Sequence, residues 1–175
     1  MGLDFNRNFS PKEQQILAFE EQLDIASQCN KPVFLHERDA FDTQLGILKN
    51  NPSLSGVAHC FTGNKSQLSA YLDLGLYIGI TGWLCDPKRG TDLAEAAKYI
   101  PQDRLLIETD APYLKPKNAP KRTADGVPSR RNEPALLPFV AEHLAHLRNA
   151  TLEDIARTSY DNATILFNLG SLQTA

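Results

Sequence analysis

The residues with chemical potential stand just past short apolar runs. Val33-Phe34-Leu35 leads into His36, Val57-Ala58 into His59, and Leu76-Tyr77-Ile78-Gly79-Ile80 into Thr81-Gly82-Trp83. Leu105-Leu106-Ile107 leads into Glu108-Thr109-Asp110. Each run suits a strand covered on both faces, as in a parallel sheet flanked by helices. In such folds the carboxyl ends of the strands converge on one rim, where sites form. Two imidazoles and a carboxylate then face a shared space. Neutral imidazole and carboxylate ligate zinc, manganese and related ions, and a carboxylate-rich set also suits magnesium. One histidine after a strand is more often a hydrogen-bonded structural residue; the recurrence at successive strand ends is what points to a site. His143 and His146 fall inside a helical pattern and read as surface or packing residues. Cys60 follows His59, so strand alternation makes it a core thiol.

The elements that must position these groups alternate in type. Ser10-Pro11-Lys12-Glu13 reads as a capping box, followed at helical spacing by Ile16, Phe19, Leu23 and Ala26. Further helices are predicted over 39–49, with Asp39 as an N-terminal charge, after Asn64 up to Gly75, from Thr91, through Leu137–Leu147, and from the capping pattern Thr151–Asp154. Strands alternating with helices predict an α/β fold with a parallel sheet of four strands plus a fifth stub at Gly2-Leu3-Asp4. No glycine-rich turn of the dinucleotide-binding type is present.

Composition narrows the class. The chain has 175 residues, 42% hydrophobic and 22% charged, a globular mix. That length is short of the roughly 250 residues of a complete (β/α)8 barrel. Three cysteines without C-x-x-C spacing argue against a disulfide framework and fit a reducing cytoplasm. No apolar run approaches the ~20 residues of a membrane span, so no membrane partner is expected. Residues 115–131 carry six basic and one acidic side chain, against 12 basic and 20 acidic elsewhere. That stretch is either the footprint of a polyanion or a solvated loop. The loop from Ala111 to Arg131 is long enough to suggest a functional role.

Several segments together resemble the TatD family of metal-dependent deoxyribonucleases. They are Gly2-Leu3-Asp4-Phe5, Pro32 to Ala40, His59-Cys60-Phe61-Thr62-Gly63, Tyr77 to Gly82 and Glu108 to Leu114. Trp83-Leu84-Cys85-Asp86 and Ser129 to Pro134 point to the TatD branch proper. The resemblance spans essentially the whole chain, in order. It implies a TIM barrel of the metal-dependent hydrolase type and phosphodiester hydrolysis with a divalent cation. Magnesium is the usual ion, with manganese or zinc as alternatives. DNA is the implied substrate, often taken from a 3′ end, with RNA as an alternative. By motif match His36, His59 and Asp110 are metal ligands, and Asp110 is also the base for the attacking water. Arg130 and Arg131 suit phosphate contacts, and Arg38 is a further candidate. Trp83 and Tyr113 could stack on bases or simply pack in the core.

Family members carry additional N-terminal residues that supply the early strands, a histidine motif and a glutamate in a Gly-Glu pair before Gly-Leu-Asp. Here Met1 stands directly before Gly2. The resemblance therefore implies a partial barrel over 1–175, about strands 4/5 to 8, with segment 111–131 as a basic loop at the active-site rim. From this follow the expectations of exposed edge strands, an exposed apolar inner face, self-association to cover them, and impaired activity. Two further readings stand beside the nuclease: a metal-dependent hydrolase of amides or esters, and a non-catalytic fragment.

Overall fold

The computed structural model describes residues 1–7, 9–122, 126 and 129–170; positions 123–125 and 127–128 of the predicted basic loop lie outside the described residues. Strands and helices alternate as β1 (Gly2–Asp4), α1 (Lys12–Cys29), β2 (Val33–Arg38), α2 (Phe41–Lys49), β3 (Gly56–Ala58), α3 (Lys65–Asp73) and β4 (Tyr77–Ile80). They continue as α4 (Thr91–Ala97), β5 (Leu105–Ile107), α5 (Leu137–Arg148) and α6 (Leu152–Phe167). All five strands pair in parallel, in the order β1-β2-β3-β4-β5. Each crossover reaches the next strand without reversal, which is the winding of a (β/α) barrel rather than of a doubly wound sheet. The predicted stub at Gly2–Asp4 is a paired strand, in register with His36–Arg38. Gly2 makes that pairing feasible: its φ is +123°, and a Cβ there would lie 2.0 Å from the His36 carbonyl oxygen.

Local signals hold in part. Asn64 with Gln67, and Thr151 with Asp154, form reciprocal capping boxes. Ser10 does not cap α1. Pro11 occupies that position, its carbonyl accepts the N–H groups of Gln14 and Gln15, and the Gln15 amide turns back to the Ser10 carbonyl. The main core lies between the sheet and the helices, with Leu35, Ile78, Ile80 and Leu105 packed among Phe19, Leu23, Leu68, Leu93 and Leu144.

The exposed edges and bare inner face expected from sequence are largely covered. A second apolar cluster joins Val57, Tyr77 and Leu106 from three adjacent strands to Leu166 of α6, with Ala163 against it. Of the apolar side chains along this row, Phe34 is the one left open, at 46% exposure. The β5 edge is also occupied. Ile107 N–H donates to Ser159 Oγ at 2.9 Å, and Asn162 Nδ2 donates to the Leu105 and Gln102 carbonyls, each at 2.8 Å. On β1, the Asp4 N–H, on the side away from β2, donates to Gln15 Oε1 at 2.9 Å. Helix side chains thus take backbone groups that a neighbouring strand would otherwise need to satisfy.

Two substitutions on α6 test this covering. Asn162→Ala leaves two carbonyls without their donor and should cost about 1–3 kcal/mol in urea unfolding. Leu166→Ala should cost about 2–5 kcal/mol by opening the second cluster. Unfolding midpoints equal to that of the unaltered chain would show that α6 does not seal the sheet.

Candidate active site

Strand pairing brings the predicted residues to one rim. His59 N–H donates to the Leu35 carbonyl at 2.8 Å and Glu108 N–H to the Ile80 carbonyl at 2.9 Å, extending the ladders beyond β3 and β5. From β5, the Glu108 carboxylate crosses β4 and meets β3. One oxygen accepts His59 Nδ1–H at 2.8 Å, and the other accepts the Cys60 backbone N–H. Gly79 of β4 lies beneath this crossing, and a Cβ there would stand 2.4 Å from Glu108 Oε1. With Nδ1 donating to a carboxylate, the neutral His59 ring carries its lone pair on Nε2. That atom is 3.8 Å from Asp110 Oδ1. Burial works against a charged His59. The Glu108 hydrogen bond and the charges of Glu108 and Asp110 outweigh it, so its pKa lies above the ordinary 6.5.

His36 sits on the same rim, its ring centroid 6.4 Å from that of His59. Its Nε2 is 3.3 Å from Asp4 Oδ2. Burial pushes the Asp4 carboxyl up, but the N–H groups of Arg7 and Asn6 and the His36 contact hold it below its usual value. Phe34 stacks at a tilt on His59, with centroids 4.7 Å apart. Glu37, at the end of β2, is raised above the usual glutamate value by burial, against the Ala40 N–H that it accepts.

The donor set suits a divalent cation at the His59–Asp110 pair, because a carboxylate-oriented imidazole facing a second carboxylate is the usual environment of a metal-ligating histidine. The enclosure is incomplete: among the described residues, no three His, Cys, Asp or Glu side chains are gathered closely enough to hold an ion. His36 faces Asp4 rather than closing the set.

A cavity of about 280 Å³ opens over this rim, lined by His36, Arg38, Cys60, Trp83, Asp110 and Tyr113, and also by Arg7 and Arg89. A larger cleft of about 730 Å³ adjoins it and shares Glu37, Arg38, Thr62 and Trp83. Arg38, Trp83 and Tyr113 all border the smaller cavity, and Trp83 also packs against the main core. Arg130 and Arg131 are exposed and line neither cavity. The residue of their motif that the fold uses is the buried Asn132, whose Nδ2 donates to Thr109 Oγ1 at 3.1 Å and to the Tyr113 carbonyl at 2.7 Å. Cys60 lies just past β3 at a φ of +48°, and its Sγ sits 3.3 Å from Oγ1 of the buried Thr81. Burial, opposed by the Thr81 hydrogen bond, pushes its thiol up to about 11, so it is not a nucleophile at neutral pH. Sequence reading missed the tie made by Glu108 and the cavity positions of Arg7 and Arg89. A glycine inside an apolar strand, Gly79, was the available signal for a close crossing.

Two outcomes follow from this geometry. Gly79→Ala should force Glu108 off His59, lower stability by about 1–3 kcal/mol and weaken Mn2+ binding in calorimetry. Unchanged values for both would remove Glu108 from the site. Iodoacetamide at neutral pH should label the exposed Cys29 ahead of Cys60 and the buried Cys85, whose thiol burial raises to about 12.

Comparison with known proteins follows the same lines. The family profile described as TatD related DNase matches residues 1–168. The 3′-5′ ssDNA/RNA exonuclease TatD of Erwinia billingiae (strain Eb661) is 51% identical over 170 residues, covering 96% of this chain and 64% of that protein. This chain therefore spans just under two thirds of that relative's length. Among solved structures, a TatD family hydrolase from Entamoeba histolytica superposes with a TM-score of 0.84 at 26% identity, covering 95% of this chain and 61% of that one. A TatD homolog from Escherichia coli K12 gives a TM-score of 0.83 at 29% identity, covering 97% and 62% respectively. Motif order, barrel-type winding and these likenesses agree, and the chain belongs to the TatD related DNase family.

Proposed function

We propose that this chain carries part of the active site of a divalent-metal-dependent nuclease that removes nucleotides from single-stranded DNA or RNA, 3′ to 5′. The observation that carries the reading is the Glu108–His59–Asp110 arrangement, with Nε2 of His59 free to act as a lone-pair donor beside a carboxylate. In this reading His59, Asp110 and His36 hold the cation, with magnesium favoured and manganese or zinc as alternatives. A bound divalent ion would lower the pKa of a water and offset phosphate charge. Asp110 accepts the proton of the attacking water and, at 41% side-chain exposure, is open enough to reach it. Arg38 borders both cavities and is placed to follow the backbone of a strand passing between them. Tyr113, 69% exposed, offers a face for an unpaired base, at about 1–3 kcal/mol per stacked base, whereas the Trp83 ring carries the Arg89 guanidinium and packs against the main core. Arg130, Arg131 and the basic 111–131 segment at the rim add longer-range attraction for polyanions. A cytoplasmic setting fits this substrate. Among the described residues, no helix is long and apolar enough to cross a membrane.

The reading includes a weakened centre. In this reading the chain is a partial barrel, about strands 4/5 to 8, and its described residues do not enclose an ion by themselves. Turnover by this chain alone should then fall well below that of a full-length relative. Self-association by strand exchange at β5 would have to displace α6 from that edge.

The test is cleavage of a 5′-labelled single-stranded oligonucleotide with Mg2+ or Mn2+. Slow, metal-dependent shortening from the 3′ end, lost in Asp110→Asn and in His59→Gln, is the expected result. Shortening that persists in Asp110→Asn, or that needs no metal, would overturn the assignment.

A further inference from the structure

The smaller cavity holds a cation that the motif pattern does not single out. Arg89 lines it together with His36, Arg38, Asp110 and Tyr113. Its guanidinium lies over the Trp83 ring, with Cζ 4.3 Å from the centroid. Its Nε donates to Asp86 Oδ2 at 2.9 Å. The backbone beneath is fixed as well. Trp83 Nε1–H donates to the Arg89 carbonyl at 3.1 Å, and Asp86 Oδ1 accepts the N–H groups of Lys88 and Arg89 at 3.0 and 3.2 Å. Gly90 closes the loop by donating to the Asp86 carbonyl at 2.8 Å, and a Cβ on it would come within 2.7 Å of the Trp83 carbonyl.

This arrangement uses one face and one edge of the guanidinium. Among the described residues, its two Nη groups have no hydrogen-bond partner, and the side chain is 53% exposed. The loop is held by Asp86 and by backbone contacts, so fixing the loop does not account for the open Nη pair. A guanidinium already stacked and pinned loses little freedom on binding, and its free fork matches two phosphate oxygens.

We infer that Arg89, clamped between Trp83 and Asp86, binds one backbone phosphate of a single strand entering the cavity that His36 and Asp110 line. The inference rests on the nuclease reading and names a contact within it.

Binding of a fluorescein-labelled single-stranded oligodeoxynucleotide in EDTA, across a salt series, tests the contact without turnover. Arg89→Ala should raise Kd about tenfold or more, the scale of one charge-assisted hydrogen-bonded contact. The slope of log K against log salt should become shallower by about 0.7, the value for one phosphate on a single strand. Arg89→Lys should keep the slope and lose part of the affinity. Arg89→Gln, which keeps a planar side chain on Trp83, should lose the slope as Arg89→Ala does. A single neutral methylphosphonate linkage placed near the 3′ end should weaken the unaltered chain and leave Arg89→Ala indifferent. Unchanged Kd and slope in Arg89→Ala and Arg89→Gln, with the unaltered chain binding, overturn the contact alone. Weaker binding with the full salt slope also overturns it, because that result marks a structural role. An unaltered chain that binds no single strand overturns the nuclease reading and this contact with it.

Discussion

One carboxylate ties together strands that do not touch. Glu108 leaves β5, passes over Gly79 of β4, and accepts hydrogen bonds from His59 and Cys60 at the end of β3. The crossing fixes which nitrogen of His59 bears the proton, and so which nitrogen remains a donor toward Asp110. The same charges that raise the proton affinity of His59 raise its affinity for any cation. A parallel ladder is needed to set the strand ends level, and a glycine is needed to let the carboxylate pass. Sheet order and site chemistry are thus one constraint rather than two.

Among the described residues the sheet has five strands, and helices close backbone groups that these strands leave open. Ser159 and Asn162 occupy backbone groups of β5, Gln15 occupies one of β1, and Leu166 lies over Val57, Tyr77 and Leu106. Burial of the second cluster needs α6 to reach across three strands, so the covering is tertiary and not local. Phe34, tilted against His59, remains open.

Much of this was legible in sequence, for definite reasons. Short apolar runs ending in His36, His59 and Asp110 carry strand type and rim position together, because side-chain alternation links the two. The Asn64 cap and the Thr151–Asp154 capping box are local motifs and form, with Gln67 completing a box at Asn64 that the sequence reading did not name. Ser10 fails because Pro11 takes the position that it would have capped. The Glu108 tie depends on the mutual register of β3, β4 and β5, which no single segment encodes. Arg89 gains its position from a loop folded around Asp86, whereas Arg130 and Arg131 stay outside the cavity although their motif is conspicuous. Basic residues announce charge in a sequence but not where the chain will aim it.

The most direct check on this account is the tautomer of His59, read from long-range 1H–15N correlations of the uniformly 15N-labelled chain at a pH where the ring is neutral. A protonated Nδ1 with a lone-pair Nε2, whose resonance is selectively broadened by substoichiometric Mn2+, is the predicted result. A protonated Nε2, or a ring indifferent to Mn2+, would contradict it.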